Sequence, residues 1–176
     1  MSRYAAFLGS INVGGHRVTM ERLRKEFESL GFADVSTFIA SGNVSFVGRG
    51  KVEALEAKIE ANLSKKLGFP VAAFLREAAA VVDIAARLPF GEELAGYSHY
   101  VGLLRSTPSA ADKTTTQALS NERDTFVVRG TELHWRIHGK SLDTSVKPAV
   151  LAKAIQQPMT TRNVTSLRRF ASLLER

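Results

Sequence analysis

The 176-residue chain carries 44% hydrophobic and 23% charged side chains with 13 Gly and 5 Pro. That suits one domain or two small ones and excludes collagen, low-complexity disorder and a highly charged solvating chain. Twenty-four Lys and Arg against 17 Asp and Glu leave a net charge of +7, which favours anionic partners as a class without selecting one. The absence of Cys excludes disulfide staples, thiolate metal sites, iron–sulfur clusters and a cysteine nucleophile, and is compatible with a reducing cytosol. Residues 1–9 form too short an apolar run for an export signal, and no stretch approaches the roughly 18 apolar residues of a membrane span. The expected location is cytoplasmic, away from membranes.

In chain order, Tyr4 to Ile11 reads as a buried strand closed by Asn12-Val13-Gly14-Gly15. Thr19 is placed to cap a helix on which Met20, Leu23, Phe27 and Leu30 share one face, with Gly31 at its end. Val35 to Ala40 and Asn43 to Val47 read as a hairpin turning through Ser41-Gly42-Asn43, where Gly and Asn tolerate positive φ. Val52, Leu55, Ile59, Leu63 and Leu67 mark a second amphipathic helix, and Val71 to Arg76 another strand. This β-α-β-β-α-β order is the split-βαβ, ferredoxin-like pattern.

A connecting helix from about Glu77 to Arg87 stops before Leu88-Pro89. Ser98 to Arg105 is then a strand, Thr107-Pro108 a helix start, Thr125 to Arg129 and Glu132 to Ile137 a hairpin across Gly130-Thr131, and Pro148 opens a helix. Met159 to Arg162 supplies a short strand, and the last helix buries Leu167, Phe170 and Leu174. The second half thus repeats the pattern of the first. The expected fold is α+β: two ferredoxin-like α/β plaits with antiparallel sheets, residues 1–96 and 97–176, plus a C-terminal helix.

The run Ser10-Ile11-Asn12-Val13-Gly14-Gly15, with Leu30-Gly31-Phe32 and Ser41-Gly42-Asn43-Val44, resembles the start of a widespread bacterial family catalogued as a domain of unknown function, number 1697. Gly139-Lys140-Ser141 and Thr160-Thr161-Arg162-Asn163-Val164-Thr165 resemble its second block, while Gly9-Ser10 and Val164 depart from its usual residues. The resemblance implies a pair of interlocked plaits and assigns no activity.

Several motifs invite a ligand. Asn12, Gly14, Gly15, His16 and Arg17 lie between a strand and a helix, where amides and the helix dipole receive anions; the plain reading is a permissive turn. Ser41 and Asn43 of the hairpin turn join them as candidates. Gly139-Lys140-Ser141 is no phosphate-binding P-loop, because the first glycine of that motif would fall at His134. Lys140 is either an anion contact or a solvated turn lysine. Leu133, Trp135 and Ile137 alternate with His134, Arg136 and His138, so the histidines lie about 13 Å apart on a strand, too far to share a metal. Their face reads as a solvated sheet surface, with contact to phosphates as the alternative. Arg162 and Asn163 precede the last helix, Asn163 or Thr165 as its cap, and Arg162 calls for an anionic ligand or an internal acid such as Asp143. Phe7 and Phe46 occupy the central strands on which RNA-binding plaits stack bases, but a basic-aromatic third strand is missing and core packing is expected. Glu92-Glu93 reads as a solvated loop.

No metal and no cofactor is called for. The expected partner is an anionic small molecule, a nucleotide or phosphorylated metabolite, or a nucleic acid, held by the glycine loop and the basic end of the chain. Two alternatives stand beside it: a structural or protein-partner module, and an enzyme acting on a phosphorylated or carboxylated metabolite. The charge is uneven, since eight basic and two acidic residues after residue 132 supply +6 of the +7.

Overall fold

The computed structural model describes residues 1–91 and 94–175; Glu92, Glu93 and Arg176 lie outside the described residues. The chain divides into two compact units, one running from Met1 to Ile84 and taking up the chain again from Arg169, the other Ala85–Arg168.

In the first unit the elements are β1 (Ser2–Leu8), α1 (Met20–Ser29), β2 (Ala33–Phe38), β3 (Asn43–Gly48), α2 (Val52–Leu67) and β4 (Ala73–Glu77), followed by α3 (Ala78–Ala86). The strands form one antiparallel sheet in the order β2-β3-β1-β4. β1 is central, and its residues Tyr4 to Leu8 are buried on both faces. On one face Tyr4, Ala6 and Leu8 pack with Leu23 and Phe27 of α1 and Ile59 and Leu63 of α2. Each Leu, Ile and Phe side chain among them contributes roughly 1.5–3 kcal/mol by leaving water. On the other face Phe7 meets Phe170 edge-on at 5.7 Å, and Phe170 stacks on Phe38 at 5.5 Å.

Local chemistry sets the helix ends. The Arg22 amide donates to the Thr19 hydroxyl at 3.2 Å, and α2 stops at Gly68, whose φ of 81° suits a residue without a Cβ. The first strand ends at Leu8 rather than Ile11, because Ser10 and Asn12 turn the chain with φ of 63° and 56°. In the β2–β3 turn Gly42 takes positive φ as expected, but the second such residue is Ile39, at 50°, and Asn43 already belongs to β3.

The second unit repeats the order: β5 (Tyr97–Leu104), α4 (Ala110–Gln117), β6 (Asp124–Arg129), β7 (Glu132–His138), α5 (Pro148–Ile155) and β8 (Met159–Asn163), after which α6 (Val164–Leu174) begins in this unit and ends among the residues of the first. Its antiparallel sheet runs β6-β7-β5-β8, strand for strand the arrangement of the first. Both sheets are thus consistent with the expected βαββαβ plaits. The cap of α4 is Ser109, not Thr107, since the Ser109 hydroxyl accepts from the Asp112 amide at 3.1 Å. The two units differ in what covers the sheet: α2 has 16 residues, while α5 in the same place has 8. No helix among the described residues is long and apolar enough to cross a membrane.

Candidate functional site

The glycine-loop candidates belong to the first unit. Asn12 braces its own loop and ties it to the β2–β3 turn: its amide Nδ2 donates to the Ala40 carbonyl at 2.7 Å and the Val18 carbonyl at 3.2 Å, and its Oδ1 accepts from the Val18 amide at 2.8 Å. Gly14 and Gly15 are exposed, and His16 stacks on Phe69 with ring centres 4.0 Å apart. Asn12 and Arg17 line an open groove of about 510 Å³ with Thr19 and Ala40. Asn43 is buried and donates to the Ser41 hydroxyl at 2.9 Å and the Phe38 carbonyl at 3.2 Å, so this pair braces the turn.

The remaining candidates belong to the second unit. Lys140 is exposed, and its amide donates to Asp143 at 2.7 Å. Arg162 lies within β8, 7% exposed, where Nη1 donates to the Thr160 hydroxyl and the Thr161 carbonyl, both at 2.9 Å. Burial lowers its pKa to about 10. Asn163 caps α6 by accepting from the Thr165 amide at 2.8 Å.

The sheet face carrying His134 is not the solvated surface that alternation implied. His134 is 4% exposed, its Nδ1 has no hydrogen-bond partner among the described residues, and burial lowers its pKa to about 4. Near it Arg136 lies over the rings of Phe90 and Tyr97 at 5.0 and 5.2 Å, and Phe90 meets His99 edge-on. The segment following α3 therefore covers part of this face. Phe7 and Phe46 are core residues on opposite faces, so neither offers a base a platform.

A half-enclosed space of ligand size adds to these candidates. A cleft of about 470 Å³ opens in the second unit between the sheet and α5. Phe126, Trp135 and Met159 form its floor, Leu151 and Ile155 of α5 one wall, and the Ser141–Val146 segment another. In the first unit the corresponding layer is filled by Leu55, Ile59 and Leu63 of α2. Pro148 starts α5 late and Gln156, with φ of 56°, ends it early, so the shorter helix leaves the sheet incompletely covered. Thr161 and Gln157 add polar groups, and Leu142 stands 95% exposed at the rim.

Asp124 ties the floor to the wall. Fully buried, it accepts from the Trp135 indole Nε1 at 2.9 Å, the Thr144 hydroxyl at 2.8 Å, and the Ser145 amide and hydroxyl at 3.0 and 2.8 Å. Burial opposes its ionisation, but the donors of Ser145, Trp135 and Thr144 outweigh that and hold its pKa below the ordinary carboxylate value. A sequence signal for this site was present in the chain's one Trp, set on an alternating strand ahead of a helix bracketed by Pro148 and Pro158.

Comparison with solved structures finds a conserved bacterial protein, SP0830 of Streptococcus pneumoniae, 24% identical, covering 100% of this chain and 99% of that one with a TM-score of 0.74. This likeness extends the shared fold over both units. Comparison with curated proteins returns no match. The family model described as Protein of unknown function (DUF1697) matches residues 1–134, the whole first unit up to Ile84 and the second through most of its central hairpin. The chain belongs to that family.

Proposed function

We propose that the protein is a binding protein for an anionic ligand with a flat or apolar body, held in the cleft over Trp135. The observation that carries this reading is the cleft itself, a half-enclosed apolar space of about 470 Å³ in the place that α2 fills in the first unit. An anionic ligand is favoured because Lys140 and Lys147 directly precede the lining residues Ser141 and Pro148, and because this end of the chain holds most of the positive charge. Binding is favoured over turnover because the described lining residues include no carboxylate, imidazole or amine to serve as acid or base.

The test uses 8-anilinonaphthalene-1-sulfonate, an aromatic anion. Trp135 is the chain's single Trp, so energy transfer from it reports occupancy of this cleft. Saturable binding at one site is expected, weakened at least tenfold in Ala152→Phe, which adds bulk at an exposed lining position. Equal binding to the variant and the wild type would place the site elsewhere.

A further inference from the structure

An edge strand presents unpaired amides and carbonyls that template another strand. The sheet orders place β2 and β4 at the edges of the first sheet, and β6 and β8 at those of the second. Side chains from covering helices close two of these edges. On β4, the amides of Ala73 and Leu75 donate to Glu60 and Glu56 of α2, both at 2.8 Å. On β6, the Phe126 amide donates to Ser120, just past α4, and the Val128 amide to Gln117 of α4, both at 2.9 Å.

β8 is different. The Leu104 amide donates to the Thr131 carbonyl at 2.9 Å, toward the β7 side, so its register partner Met159 directs its own polar groups outward. The period of two carries this outward orientation to Thr161 and Asn163. Among the described residues no acceptor meets the amides of Met159, Thr161 or Asn163. α5 occupies the position of α2 but carries no carboxylate to supply one. Met159 and Thr161 also line the cleft, and Thr161 is exposed. A strand laid on this edge therefore places every second side chain beside the cleft mouth.

We infer that the ligand is an extended acidic peptide segment that adds as a strand to β8 and inserts one apolar side chain into the cleft over Trp135. This rests on the cleft reading above and gives the ligand its class. The outward amides supply three donors, while Arg162 already occupies the Thr161 carbonyl. Charge selects the occupant: a second copy would bring Lys140, Lys147 and Lys153, the chain neighbours of the lining residues Ser141, Pro148 and Ala152, against the same three lysines, whereas acidic side chains complement them.

The probe is the capped heptapeptide Glu-Asp-Val-Phe-Val-Asp-Glu, read by Trp135 emission and by displacement of anilinonaphthalene sulfonate. Saturable binding is expected. It should fall at least tenfold in Thr161→Pro, which removes one outward amide at a position where an edge strand tolerates proline, while the variant still binds the dye. N-methylation of alternate peptide amides should abolish binding to the wild type, which tests the same pairing without altering the protein. Dye binding without peptide binding would overturn this inference and leave the cleft reading standing, as would equal binding of a peptide with Lys in place of Asp and Glu. Self-association that rises with concentration and is lost in Thr161→Pro would assign the edge to a second copy and overturn the acidic peptide. Failure of the dye to bind the wild type would overturn the cleft reading and the inference with it.

Discussion

Asp124→Asn preserves shape and volume but changes what the buried group accepts. In the wild type Oδ1 receives the Trp135 indole and the Thr144 hydroxyl, and Oδ2 receives the Ser145 amide and hydroxyl. The amide that replaces the carboxylate turns an NH₂ toward one of these pairs. A hydroxyl can rotate to accept from it, but the indole N–H and the Ser145 N–H cannot, so one buried donor loses its acceptor in either orientation. An unsatisfied buried donor costs about 1–3 kcal/mol, and the surviving bonds lose their charge assistance, so the second unit should lose about 2–4 kcal/mol. Urea unfolding followed by Trp135 emission measures the loss in the unit that contains the change. The indole N–H resonance should move at the same time. The carboxylate's advantage is present above its unfolded pKa of about 3.9 and is lost as pH falls through its depressed folded pKa, so wild type and variant should converge in acid. A loss below about 0.5 kcal/mol near neutral pH would refute the view that Asp124 joins the floor of the cleft to its wall, since it falls under the cost of even one orphaned donor.

His134 predicts a second pH dependence. Its folded pKa of about 4 lies below the ordinary 6.5, so the unfolded chain takes up a proton first and stability falls as pH drops from about 6.5 to about 4, by up to about 3 kcal/mol. His134→Leu should flatten that slope in urea titrations at several pH values; an unchanged slope would exclude His134 as its source. Gly102→Ala places a Cβ against the Met159 thioether and should push that side chain toward the cleft, costing about 1–3 kcal/mol and weakening dye binding. Unaltered dye affinity would show that Met159 has another way to yield. Glu56→Ala with Glu60→Ala uncovers the β4 edge, and light scattering should detect concentration-dependent association absent from the wild type. A monomeric double variant would mean that the two carboxylates do not protect that edge.

Elements governed by neighbouring residues were legible in the sequence. The Thr19 cap, the positive φ of Gly42 and the pattern-level repeat all follow from local chemistry and hydrophobic period. Where two local signals competed, the weaker one misled. Pro108 drew the α4 start to Thr107, although Ser109 with Asp112 three residues on carried the capping pattern, and the Ser109 hydroxyl indeed donates to the Asp112 carboxylate at 2.7 Å. Alternation on β7 identified which residues share a face but not what lies over it, and Phe90, more than 40 residues earlier in the chain, is part of that cover. Asn12 and Arg162 read as ligand donors because polar residues beside glycines and helix starts look available. Asn12 instead spends its donors on the Val18 and Ala40 carbonyls, and Arg162 sits inside β8. The cleft has no motif in the sequence because it arises from a short helix rather than from a residue that is present.

The contrast between a 16-residue and an 8-residue helix over matching sheets has a dynamic consequence. Local opening costs least where an element buries little apolar surface, and only Ala154 and Ile155 of α5 are fully buried, against Leu55, Glu56, Ile59 and Leu63 of α2. Native-state hydrogen exchange should release the α5 amides well before those of α2. The same architecture, written twice in one chain, then carries one helix that should open late and one, α5, that should open early.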